Sequence, residues 1–174
     1  MNIRMRKKIA NIKIVLTDVD GVLTDGGMFY SRYGDTMKKF FVRDGMGVTM
    51  LRKNGIPTII VTKEKNRIIK KWAENMPVEQ LYDGIINKES ILQKICSKFN
   101  VVAKEVAYIG DDINDVGLLK IVGLSVAPHD AIKEVREICD YNCNNKGGHG
   151  AFRELVDLIL SNKTNIKIKD VGAK

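Results

Sequence analysis

The sequence predicts an α/β fold, a Rossmann-like, doubly wound parallel sheet with a small β-hairpin insertion. Three observations carry this prediction. Short β-branched runs alternate with longer amphipathic ones, several apolar runs end in polar and mostly acidic residues, and one aromatic-rich segment interrupts the alternation.

The first strand falls at 12–17, IKIVLT. After it, MFYS and TMKKFFV flank Arg32-Tyr33-Gly34-Asp35, a turn-forming centre, so 28–42 reads as a β-hairpin. Helical periodicity then covers 44–53, and a β-branched run makes 57–62 a strand. A helix at 65–75, a weaker strand at 80–82 and a helix at 88–99 follow. The remaining elements are strands at 106–110 and 124–126 and helices at 113–122, 131–138 and 151–162. No internal repeat or proline-rich linker divides the chain, so 1–174 reads as one domain with its core at about 12–160 and basic tails at both ends.

With 174 residues, 44% hydrophobic and 29% charged, the chain can bury a substantial core. The apolar run after the basic MNIRMRKKIA start is too short for a signal peptide or membrane span, which predicts a cytoplasmic protein with no membrane partner. Cys96, Cys139 and Cys143 form no repeated pair and read as reduced thiols. With His129 or His149 they lack the second cysteine pair of a structural zinc site. A net charge of +8 suits either nucleic acid or small anions. Its concentration near the termini (Arg4, Arg6, Lys7, Lys8, Lys163, Lys167, Lys169, Lys174), with few aromatics interleaved, argues against nucleic acid and gives modest support to an anionic substrate.

Ligands of parallel α/β sheets bind beyond the carboxyl ends of the strands. There the sequence places Asp18 and Asp20, then Thr62, then Gly110-Asp111-Asp112. Positions i and i+2 of an extended segment share a side, so Asp18 and Asp20 face one site. With Asp111 beside them they repel unless a cation intervenes, and oxygen ligands of this kind suit Mg²⁺ together with a substrate phosphate. Each motif alone has a plainer reading: DVDG is an Asp-Gly turn, GDDIND a turn into a helix N-cap, and Lys88 a solvated lysine. Their joint placement at strand ends distinguishes them.

Asp18-Val19-Asp20-Gly21-Val22-Leu23-Thr24, Thr62, Lys88 and Gly110-Asp111-Asp112-Ile113-Asn114-Asp115 resemble, in order, the four motifs of the haloacid dehalogenase superfamily of phosphatases. The resemblance implies two-step phosphoryl transfer. Asp18 would be the nucleophile and Asp20 the acid/base; Thr62 and Lys88 would stabilise phosphoryl charge. Mg²⁺ would be held by Asp18, Asp111 and the Asp20 position through its backbone carbonyl, with Asp112 and Asp115 as outer groups.

The intervals between motifs leave no room for a cap domain, so cover must come from elsewhere, and the aromatic hairpin is the expected donor across a subunit boundary. Arg43-Asp44-Gly45 and GGHGAFRE resemble the capless tetrameric branch that hydrolyses 3-deoxy-D-manno-octulosonate 8-phosphate and the 9-phosphates of nonulosonic acids, in lipopolysaccharide or sialic acid biosynthesis. That branch implies a homotetramer with shared sites and a small sugar acid phosphate as substrate.

Where octulosonate phosphatases continue the second motif as Thr-Gly-Arg, this chain reads Thr62-Lys63-Glu64-Lys65. Glu64 resembles the nonulosonate members and suits sugar hydroxyls; Arg43 or Lys65 suits the substrate's carboxylate. Glu64 also reads simply as an acid in a helix's first turn. A receiver domain is disfavoured because its phosphorylated aspartate stands on a middle strand. A non-catalytic relative of the phosphatase domain of acylneuraminate cytidylyltransferases is disfavoured by the retention of Asp18, Asp20, Lys88 and Asp111.

Overall fold

A computed structural model describes residues 1–163; the expectations for Lys167, Lys169, Lys174 and the rest of the carboxyl tail lie outside the described residues. Six parallel strands form the main sheet in the order β5-β4-β1-β6-β7-β8. They are β1 (Ile14–Thr17), β4 (Thr58–Val61), β5 (Gln80–Tyr82), β6 (Val106–Ile109), β7 (Leu124–Ala127) and β8 (Tyr141–Asn142). β1 is central, with Val15 opposite Thr58 on one side and Ala107 on the other. Every residue of β1, β4, β6 and β7 is buried, as the continuous apolar runs of a sheet covered on both faces require.

The two faces have separate cores. Val15, Ile60, Ala107 and Val126 pack under helices α1 (Ile3–Ala10), α2 (Val42–Lys53), α3 (Arg67–Asn75) and α7 (Ala151–Ser161). Ile14, Leu16, Ile59, Val61 and Tyr108 pack under α4 (Leu92–Phe99), α5 (Val116–Leu119) and α6 (Lys133–Ile138). The period-2 alternation of each strand sends neighbours to opposite cores.

The hairpin is present as β2 (Phe29–Ser31) and β3 (Gly34–Met37), antiparallel and joined by Arg32-Tyr33. It stands between β1 and α2, and among the described residues only α3 and β5 lie between β4 and Lys88, so no cap interrupts the core.

Three expectations are corrected. The basic amino-terminal tail is helical: Asn2 caps α1 by accepting the Met5 N–H at 2.8 Å, and Ile9 is buried. The helix expected at 113–122 is a 3₁₀ turn, Ile113–Asp115, followed by the single-turn α5. β8 was not expected because its two residues are polar or amphipathic; only pairing with Val126 and Ala127 makes it a strand.

Gly150 stands at the N-cap position just before α7, and with φ +102° and no side chain it offers no cap of its own. Asp44, fully buried on α2, supplies one instead by accepting the Arg153 N–H at 2.8 Å. Burial pushes its carboxyl up to about 6 against that bond. The sequence signatures RDG and GGHGAFRE are thereby joined in space.

Candidate active site

The doubly wound topology opens a crevice beyond the carboxyl end of β1, where its neighbours are β4 and β6. Asp18 leaves β1 with its N–H donated to Ile109 O at 3.1 Å and is nearly fully buried. Lys88 opens the 3₁₀ turn Lys88–Ile91 and is fully buried, so the solvated-lysine reading does not hold. Its Nζ lies 2.7 Å from Asp18 Oδ2 and 2.6 Å from Asp115 Oδ1. Burial pulls the ammonium pKa down, but the charges of Asp18 and Asp115 outweigh this and hold it above its usual value.

Asp115 is committed to holding the site together. Its Oδ1 also accepts from Tyr108 Oη at 2.5 Å, while Oδ2 accepts the N–H groups of Asp111 at 2.8 Å and Asp112 at 3.2 Å. It therefore fixes the loop that presents Asp111. Asp112 is exposed and caps its own turn, accepting the Ile113 N–H at 2.7 Å.

Carboxylate oxygens of Asp18, Asp111 and Asp115 lie within 4.8 Å of one another. With Asp115 engaged, Asp18 and Asp111 remain for a ligand, and Asp111 Oδ1 is buried without a hydrogen-bond partner. The loop after β1 closes onto this carboxylate through Gly21, with φ +82°; a Cβ there would lie 1.9 Å from Asp111 Oδ2. Oxygen-only donors, an unpartnered buried oxygen and three carboxylates facing one ammonium fit a hard divalent cation. Burial and the charges of Asp18 and Asp115 push Asp111 up to about 8, and burial pushes Asp18 up to about 7 against the pull of Lys88.

The Asp20 carboxylate lies outside this group. Its Oδ1 accepts from Thr24 Oγ1 at 3.1 Å and from Lys38 Nζ at 2.8 Å, and its Oδ2 is buried without a partner. Thr62 is buried at the carboxyl end of β4, its Oγ1 accepting the Glu64 N–H at 3.3 Å. Glu64 Oε2 is 3.2 Å from Lys38 Nζ, so it joins the Asp20 side of the site. Arg43 and Lys65 are exposed, and among the described residues neither forms an ion pair with this cluster. Lys65 lays its stem over Gly84 instead.

Sequence reasoning missed Lys38, whose side chain is fully buried although it follows the hairpin. The available signal was alternation: Met37 and Lys39 on either side point outward. It also missed how the glycines of GGHG serve the site. Gly148 donates its N–H to Val22 O at 2.9 Å, and a Cβ on Gly147 would lie 1.9 Å from Gly21 O. The basic residues of the amino-terminal segment, read with the carboxyl tail as support for an anionic substrate, are elsewhere. Arg4, Lys7, Lys8 and Lys104 line a cleft of about 700 Å³ beside α1, at the amino ends of the strands.

A family model for haloacid dehalogenase-like hydrolases matches residues 59–155. The chain belongs to this family. It is 36% identical over 168 residues, 97% of its own length and 93% of the relative's, to 3-deoxy-D-manno-octulosonate 8-phosphate phosphatase from Haemophilus influenzae. The cobalt-bound structure of the deoxy-D-mannose-octulosonate 8-phosphate phosphatase from the same species is similar at a TM-score of 0.88 and 36% identity, covering 90% of this chain and 91% of that one. The Moraxella catarrhalis 3-deoxy-D-manno-octulosonate 8-phosphate phosphatase, in complex with magnesium, phosphate and KDO, is similar at a TM-score of 0.89 and 30% identity, covering 92% of each chain. Among the described residues Asp18, Asp111 and Asp115 form a group that could hold a metal ion. Among the described residues no helix is long and apolar enough to cross a membrane.

Two predictions follow from the carboxylates. Asp18 and Asp111 bind protons more tightly in the folded chain than at the ordinary value of 3.8, so without metal their contribution to stability is complete below 3.8 and is lost as pH rises through about 7 and 8. In thermal melts of EDTA-treated protein these groups should lower the melting temperature between about pH 5 and pH 8, and Mg²⁺ should raise it more at the higher pH; a Mg²⁺ shift independent of pH would refute this. Gly21→Ala should leave a folded protein that loses the Mg²⁺-induced melting shift and Mg²⁺-dependent turnover together. Wild-type Mg²⁺ binding in that variant would show that the close approach to Asp111 is unimportant.

Proposed function

We propose that this hydrolase is a Mg²⁺-dependent phosphomonoesterase acting on 3-deoxy-D-manno-octulosonate 8-phosphate through an aspartyl-phosphate on Asp18. The observation that carries the reading is buried Lys88 bridging Asp18 and Asp115 beside Asp111, in a chain 36% identical over 97% of its length to a phosphatase of that substrate.

Lys88 holds Asp18 Oδ2, which leaves Oδ1 to attack phosphorus. An Asp18–phosphorus bond forms as the ester bond to the sugar oxygen breaks, and Asp20 gives that oxygen its proton. Asp20 then takes a proton from water, whose oxygen attacks phosphorus; phosphate leaves and the Asp18 carboxylate is restored. Thr62 donates to a phosphoryl oxygen, and Lys88 offsets charge on the nucleophile and the phosphoryl group. Asp18, Asp111 and the backbone carbonyl of Asp20 would hold Mg²⁺, which when bound neutralises charge on the transferring group. Asp112 and Asp115 act behind these groups, and Arg43, Glu64 and Lys65 serve the sugar acid. Because Glu64 stands two residues after Thr62, nonulosonate 9-phosphates are the second reading.

A homotetramer with shared sites completes the proposal. Met28, Phe29, Tyr30, Tyr33 and Met37 are all exposed on and around the hairpin, an apolar surface that suits a neighbouring subunit.

Release of phosphate from 3-deoxy-D-manno-octulosonate 8-phosphate should require Mg²⁺, stop with EDTA, and fall by at least about 10³-fold in Asp18→Asn. Faster turnover of a nonulosonate 9-phosphate would move the assignment to the second reading, and unchanged turnover in Asp18→Asn would remove the nucleophile. Light scattering should give four subunits, and Phe29→Ser with Tyr30→Ser should lower mass and kcat/KM together. A monomer with full activity would overturn the shared site.

A further inference from the structure

Lys38 is a fully buried cation that the phosphoryl-transfer scheme does not use. Three carboxylates surround its Nζ: Asp20 Oδ1 at 2.8 Å, Asp35 Oδ2 at 3.2 Å and Glu64 Oε2 at 3.2 Å. Burial alone would lower its pKa; the hydrogen bond and charge of Asp20, with those of Asp35 and Glu64, more than offset this and raise it. Each partner comes from a different part of the chain. Asp20 is on the loop after β1, Asp35 is on β3 of the hairpin, and Glu64 is on the loop after β4. Asp35 is anchored in turn by Asn66 Nδ2 at 2.9 Å, and Asn66 caps α3 by accepting the Ile68 N–H at 2.8 Å.

We propose that Lys38 is a positioning residue that fixes the acid/base Asp20, so that the base of the hairpin serves the site of its own subunit. The inference rests on the phosphomonoesterase reading. Lys38 and Thr24 both donate to Asp20 Oδ1, and an oxygen that accepts two hydrogen bonds is not the one that carries the acidic proton. That proton is directed to Oδ2, the buried oxygen with no protein partner, whose hydrogen-bonding capacity is left for the leaving-group oxygen. Lys38 also cannot serve the substrate's anionic groups, because its side chain has no exposed surface and its three partners enclose it. Its action on the reaction passes through Asp20.

The test uses the leaving group. Departure of a sugar alkoxide needs protonation by Asp20, whereas p-nitrophenolate departs without it. In full-length Lys38→Met, kcat/KM, which reports the steps up to Asp18 phosphorylation, should fall about 10²-fold on 3-deoxy-D-manno-octulosonate 8-phosphate and less than about 3-fold on p-nitrophenyl phosphate. Lys38→Arg should recover part of the loss on the sugar phosphate. Asp35→Asn, which leaves Lys38 in place but loosens its anchor, should change the ratio between the two esters in the same direction and by less, and it carries the test if Lys38→Met does not fold. Equal losses on both esters would reduce Lys38 to a structural role and overturn the proposal. Asp18→Asn, measured in parallel, separates the two levels: if it keeps wild-type turnover the aspartyl-phosphate reading fails, whereas a loss in Asp18→Asn beside a Lys38→Met effect that does not depend on the ester sinks only the role of Lys38.

Discussion

The structure turns on the repulsion among carboxylates gathered at the ends of β1 and β6. Asp18, Asp111 and Asp115 converge in a largely buried crevice, where each charge costs far more than it would in water. Lys88 meets part of that cost by contacting two of the three. A buried ammonium is itself expensive, so neither partner is stable there alone, and removing Lys88 would leave uncompensated buried anions. Tyr108 and two backbone N–H groups complete the shell of Asp115. What remains unsatisfied is on Asp111, the side from which a divalent cation and a phosphoryl group would come.

Bringing those charges so close depends on backbone that carries no side chains. Gly21 lets the loop after β1 touch Asp111, and Gly147 and Gly148 pack on the outside of the same loop. The second contact is fixed from below, since Asp44 of α2 caps the first turn of α7 just after GGHG. A chain of contacts thus runs from a helix-capping carboxylate through two glycines to the loop that follows Asp18 and Asp20. Each step is short because nothing larger than hydrogen occupies the contact.

Much of this was legible in the sequence, and the failures have a common cause. The four central strands were readable because both faces are buried and the apolar runs are continuous, and of the acids at their ends Asp18 and Asp111 do converge in space. α1 was missed because a run of Arg4, Arg6, Lys7 and Lys8 hides the two contacts that order it, Met5 and Ile9 against the core. β8 was missed because pairing rather than composition makes it a strand. Lys38 was missed because a lysine declares burial only through its partners, and those are 18 residues before it at Asp20 and far after it at Glu64. Local pattern reports propensity and periodicity; charges that meet across loops are visible only once the sheet has brought the loops together.

The distribution of charge within one subunit bears on how an anionic sugar acid is held. Among the described residues, Asp18, Asp20, Asp35, Glu64, Asp111 and Asp115 surround only Lys38 and Lys88, although the chain as a whole is strongly basic. Both lysines are consumed by internal partners, and the cations of α1 lie at the opposite end of the strands. A divalent cation can offset the phosphoryl group, but the substrate's carboxylate, many bonds away, needs a cation of its own. In the proposed function the exposed Arg43 and Lys65 are the cations for it, together with any that a neighbouring subunit against the apolar hairpin would supply. In the proposed function the acid-rich interior would thus serve the reaction, while selection for the sugar would fall to the cationic rim and to what the hairpin brings beside it.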